Sequence, residues 1–141
     1  MTTEDMARKL VTQAAFRMTL VKSALGAGQW AYVVRESQEA VELALKGALR
    51  SAGIEPPRWH DVGDVIAANL QRLPPALFRE AGRLRAISRE LREDRETAFY
   101  GDEQAQLAPE DIYGESDARD AYAQARFVVD LVEQSVLGTA P

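Results

Sequence analysis

The stretch at residues 29–52, QWAYVVRESQEAVELALKGALRSA, decides how this chain folds. Val33, Ser37, Ala40, Val41, Ala44, Leu45, Ala48 and Leu49 recur at steps of three and four, which puts them on one face of an α-helix. The opposite face carries Arg35, Glu39, Glu42, Lys46 and Arg50, with Arg35/Glu39 and Glu42/Lys46 spaced to pair along it. Gly53 supplies a C-terminal stop. Pro56-Pro57 prevents continuation, because proline lacks the amide hydrogen and clashes with the preceding turn. A helix of this kind gains its stability from burying its apolar face, so its neighbours decide the architecture.

On the N-terminal side the same period continues through Ala7, Leu10, Val11, Ala14, Met18, Val21 and Leu25. Thr2 or Thr3 serves as the cap, and Gly26 and Gly28 turn the chain. On the C-terminal side Asp61 caps a short helix reaching Leu73, which Pro74-Pro75 ends. A long helix is predicted from about residue 75 to 99, with Leu77, Ala81, Leu84, Ile87, Ser88, Leu91, Arg95 and Ala98 pointing inward. Gly101 closes it, and residues 102–114 form a loop containing Pro109. Ser116 then caps a last helix with the stripe Ala118, Tyr122, Ala125, Val129, Val132 and Val136, stopped by Gly138. No segment alternates with period two. The expectation is a single all-α domain over residues 1–141, an antiparallel four-helix up-and-down bundle with a short extra helix.

A hydrophobic share of 46% and a charged share of 28% are those of a soluble globular chain, long enough for a substantial core. With no cysteine there is neither a disulfide framework nor thiolate chemistry, which fits a cytoplasmic setting. The opening residues, Met1-Thr2-Thr3-Glu4-Asp5, lack the basic start and apolar run of a secretory signal. No apolar run approaches the roughly 20 residues of a membrane helix. A net charge of −5 repels phosphate on average, so nucleic acid would need a local basic patch.

The chemistry-bearing candidates are few. His60 is the single histidine, and without partner glutamates or cysteines no metal site and no cofactor are expected. Gly26-Ala27-Gly28 is too short for a phosphate-cradling loop. In His60-Asp61 the carboxylate reads as a helix cap, and Trp59, His60, Trp30 and Tyr32 read as packing aromatics. Arg85, Arg89 and Arg92 share a charged stripe. Arg95 differs, because it falls on the inward seam, where a guanidinium needs a phosphate or carboxylate ligand, an internal partner such as Glu36 or Glu39, or a partner across a dimer interface.

These features together resemble the HEPN domains (higher eukaryotes and prokaryotes nucleotide-binding). The resemblance rests on Gly28-Gln29-Trp30-Ala31, the run from Arg35 to Lys46, Gly53-Ile54-Glu55-Pro56-Pro57, the His60-Asp61-Val62 turn, the arginine-bearing fourth helix and the final Ala/Tyr/Val helix. It implies a homodimer with its groove at the subunit interface. It also implies, for many members, a metal-independent endoribonuclease paired as a toxin with a nucleotidyltransferase antitoxin. The hallmark of those members is an Arg followed after four to six residues by a His. Here the Arg matches Arg95, and the His position falls on Tyr100 or Gly101. A phenol, ionising near about pH 10, is a poor general base at neutral pH. The resemblance therefore implies a groove that binds nucleotide or RNA, or a protein partner, and leans away from catalysis. Its residues are Arg95 on phosphate, Tyr100 donating or stacking, Asp102 orienting the arginine, and Arg92 beside them. The alternatives are an active ribonuclease toxin using Arg95 and Tyr100, and a purely structural oligomerisation module in which Arg95 is an ion pair.

Overall fold

The computed structural model describes residues 1–58 and 61–138. In chain order the elements are α1 (Thr3–Gly26), α2 (Trp30–Ser51), α3 (Val62–Ala68), a 3-10 turn (Leu70–Arg72), α4 (Pro75–Arg79), α5 (Ala81–Glu93), α6 (Arg95–Tyr100), α7 (Pro109–Ile112) and α8 (Glu115–Leu137). The described residues contain no strand, only a single bridge between Asp102 and Leu107. The all-α bundle is as expected. Trp59 and His60 lie outside the described residues.

The helix ends follow local chemistry. Thr2 accepts the Asp5 amide while Asp5 accepts the Thr2 amide, a reciprocal cap that opens α1. At the far end of α2, Ile54 N–H bonds to Leu49 C=O at 2.8 Å and Gly53 N–H to Arg50 C=O at 3.0 Å. This closure needs a residue at positive φ, and Gly53 supplies it at 77°. Arg72 adds bonds to the last carbonyls, at Ala52 and Gly53. Asp61 caps α3 as expected, accepting from Gly63 N–H at 2.8 Å. The last helix is capped otherwise than expected. Gly114 is its N-cap, and Asp117 reaches back to the Gly114 amide, which leaves Ser116 inside the first turn.

α1, α2 and α8 make a frame whose core is mostly alanine and valine, with Leu45, Leu49 and Met18 among them. The predicted stripes of α1 and α8 turn inward: Ala7, Val11, Ala14 and Val21 of α1 and Ala118, Ala125, Val129 and Val132 of α8 are all essentially inaccessible. α2 is the central element, packed on α1, α8, α5 and α6. No residue of α2 is fully exposed, so the polar face of the opening stretch is partly covered.

The fourth limb departs from the uninterrupted helix predicted for residues 75–99. It is broken at Glu80 and again at Asp94. Leu77, Ala81, Leu84, Ile87, Ser88, Leu91 and Ala98 are buried as predicted. α5 is tied to α3 by Arg85 and Arg89, both on the Asp64 carboxylate, at 2.9 and 3.5 Å. Residues 102–107 fold into a tight reverse turn. α7, which the sequence reading treats as loop, begins with Pro109 in its first turn.

Candidate nucleotide-binding face

Arg95 opens α6 immediately after the break at Asp94. Its side chain is not buried, as the inward seam implied, but 48% exposed. A long aliphatic stem lets a guanidinium on an apolar seam reach the rim. There it meets Glu39 of α2 at 3.8 Å, one of the two internal partners anticipated. An ion pair this long and this wet contributes about 0–1 kcal/mol.

One turn back along α2, Glu36 sits between two arginines. Arg17 of α1 makes a short contact to one carboxylate oxygen, and Arg35 reaches the other at 3.4 Å. Arg17 Nε is buried without a hydrogen-bond partner among the described residues. The Arg35 guanidinium also lies over two rings, 5.0 Å from the centroid of Tyr32 and 4.7 Å from that of Phe99. Such contacts are worth roughly 0.5–2 kcal/mol, the more so where water is partly excluded. Three guanidiniums thus meet two carboxylates across α1, α2 and α6.

α6 ends on Phe99 and Tyr100, whose ring centroids are 5.8 Å apart. Tyr100 is 72% exposed and Phe99 39%. Gly101 follows at φ 73°, and a Cβ there would fall 2.1 Å from the Leu107 carbonyl oxygen, so the turn admits only glycine. Asp102 serves that turn, accepting the Ala105 amide at 3.1 Å. Among the described residues no hydrogen bond or ion pair joins it to Arg95. Arg92 is half-buried beside Gln38 and Glu42, where α5 crosses α2.

Asp94, at the break, has a long-range partner. The buried Tyr113 donates its hydroxyl toward the Asp94 side chain at 3.1 Å, which holds the α5–α6 joint against the segment before α8. Burial first, and then the neighbouring Asp94 charge, raise the Tyr113 phenol well above its ordinary ionisation range. Between Tyr113, Phe99 and the start of α2 lies a cleft of about 370 Å³, which Trp30, Tyr32, Arg35 and Glu110 also line.

Of the sequence-derived residues, Arg95 and Tyr100 therefore share one exposed end, Asp102 frames the turn beyond it, and Arg92 stands further along α5. Arg17, Arg35, Glu36 and Phe99 were not singled out as site residues, and each reads in the sequence as an ordinary helix-face residue. The spacing of Arg35 and Glu36 from Arg95 and Phe99 offers no local signal. Among the described residues no cluster of His, Asp or Glu could hold a metal ion, and no helix is long and apolar enough to cross a membrane.

The fold and this face define an all-α bundle domain with an arginine-rich, aromatic-rimmed end. The family model of the HEPN domain matches residues 7–135, and the chain belongs to that family, whose members generally bind RNA or nucleotide. No curated protein and no solved structure matches the chain.

Proposed function

We propose that the chain binds nucleotide or RNA through the phosphate, at the end of α6, and does not cleave it. The observation that carries this reading is the convergence of Arg17, Arg35 and Arg95 on only two carboxylates, beside an exposed aromatic pair. Arg95 contacts phosphate, exchanging its weak pairing with Glu39 for a bidentate, charge-assisted contact to phosphate oxygens. Tyr100 donates a hydrogen bond or stacks, Arg92 extends the basic surface along α5, and Asp102 keeps the 102–107 turn shaped behind them. Tyrosine and glycine at the position of the family's catalytic histidine support binding without cleavage. In this reading the protein is cytoplasmic and works as a homodimer with the groove between subunits. A nucleotidyltransferase antitoxin is the protein partner to look for.

Isothermal titration of wild type and Arg95→Ala with mononucleotides and short single-stranded RNAs tests the proposal. A charge-assisted phosphate contact is worth about 1.5–3 kcal/mol, so the variant should bind roughly 10- to 100-fold more weakly. No binding by wild type, or equal binding by both proteins, overturns it. The Arg95–Glu39 pair favours one rival, a structural oligomerisation module, and equal binding is what that rival expects. Cleavage of the RNAs by wild type, lost in Arg95→Ala, would instead establish the ribonuclease.

A further inference from the structure

The cleft beside Phe99 has walls of one kind and a floor of another. Trp30 and Tyr32 come from the first turn of α2, Phe99 from α6, and Tyr113 from the segment before α8. Four aromatic side chains thus line the slot, two of them, Tyr32 and Phe99, already under the Arg35 guanidinium, a lining that suits a flat aromatic ligand. Only two charged side chains line it, Arg35 and Glu110. Arg35 is held by Glu36 through Nε and by the rings of Tyr32 and Phe99, and its terminal nitrogens bond to no other described residue. The Glu110 carboxylate, exposed on α7, likewise makes no hydrogen bond or ion pair among the described residues. The slot therefore offers an unused fork of donors and an unused pair of acceptors.

We propose that this cleft is a nucleobase pocket, with guanine preferred. The inference rests on the nucleotide-binding reading above and extends it from phosphate to base. Stacking on aromatic faces is available to every base and is worth about 1–3 kcal/mol per base. The edge groups discriminate. Guanine presents two adjacent donors, N1–H and the N2 amine, to the acceptor pair of Glu110. Its O6 and N7 accept from Arg35, the commonest arginine–base pairing. Adenine turns the N1 lone pair toward the carboxylate. Cytosine offers one amine beside an acceptor, and uracil one N–H between two carbonyls, so each sets like against like at Glu110. The phosphate position fits the same ligand. Arg95 precedes Phe99 by one turn of α6, and its partner Glu39 follows Arg35 by one turn of α2, a step of about 6 Å along each axis. A ribose bridges such a step.

The test is Trp30 fluorescence in a Trp59→Phe background, titrated with guanosine and with the 5′-monophosphates of guanosine, adenosine, cytidine and uridine. Calorimetry on wild type with the same ligands covers the case in which that background does not fold. Guanosine should bind, its monophosphate more tightly, and the other three nucleotides at least about ten-fold more weakly, the low end of the discrimination a good bidentate pair provides. Glu110→Gln should erase the guanine preference. Arg95→Ala should bring guanosine monophosphate down to the affinity of guanosine itself. Equal affinity for the four nucleotides, or a guanine preference that survives Glu110→Gln, overturns the base pocket and leaves phosphate binding standing. A monophosphate that binds no tighter than guanosine overturns the phosphate reading and leaves the base pocket standing. No binding of any ligand overturns both.

Discussion

The frame of α1, α2 and α8 and the limb running from α3 to α7 are held together by different means. The frame helices run unbroken for 24, 22 and 23 residues, whereas the longest helix of the limb has 13. Small apolar residues fill the frame, so its stability is spread over many close contacts. The limb also buries leucines and Ile87, but individual polar contacts set its course: Arg85 on Asp64, Ser88 on Asp61, Tyr113 on Asp94. Spread packing makes a rigid support. Contacts taken one at a time make a segment whose path can be set by a few residues. The candidate site draws residues from both, and binding surfaces are often taken from the less stable part of a fold.

The contrast predicts effects that shrink and become more local from frame to limb. Leu45 is fully buried in α2, and Leu45→Ala should cost about 3 kcal/mol of global stability by urea unfolding. A loss below about 1 kcal/mol would mean that the frame is not the main core. Gly101→Ala should cost about 2 kcal/mol, since the added methyl meets a backbone carbonyl at a strained φ. Hydrogen exchange should place that loss first in the amides of residues 102–107, and uniform acceleration across α1 and α2 would blur the contrast.

Tyr113→Phe should be smallest, about 1 kcal/mol near neutral pH, the worth of one hydrogen bond. It also carries a pH signature. The folded protein keeps the Tyr113 proton where the unfolded chain, ionising near about pH 10, has lost it. The stabilisation is complete below that pH and declines as pH rises toward the higher folded value. The stability difference between wild type and Tyr113→Phe should therefore be constant up to about pH 9 and narrow as pH rises through about pH 10 to 11. A difference constant across that range would remove Tyr113 as the clamp on Asp94.

The three frame helices were legible in the sequence because an amphipathic stripe and its Gly or Pro punctuation are local properties. The breaks at Glu80 and Asp94 were not, since neither position carries a proline or glycine. At Asp94 the clamp is a hydroxyl from Tyr113, 19 residues away. The partly covered polar face of α2 escaped for a related reason. Periodicity separates polar from apolar, but it does not reveal that another limb will bring its own arginines to the polar side. Periodicity puts Arg95 on the inward seam, whereas the structure leaves its side chain about half exposed. Its exposure follows from the length of its side chain, which a helical wheel does not record. Trp30 and Tyr32 were read as packing residues, and only the arrival of Phe99 and Tyr113 across the start of α2 turns them into the sides of a slot.

The enclosure of α2 has a mechanical side. A helix clamped by α1, α8, α5 and α6 cannot slide or roll without parting several interfaces at once. Trp30, Tyr32 and Arg35 therefore stand on a fixed jaw. Phe99, Glu110 and Tyr113 stand on the opposing one, Phe99 before the reverse turn that follows Gly101, Glu110 and Tyr113 after it, with Tyr113 tied back to Asp94. If the cleft takes a ligand, the side held by fewer contacts is that second jaw, so any adjustment is expected there and not in α2.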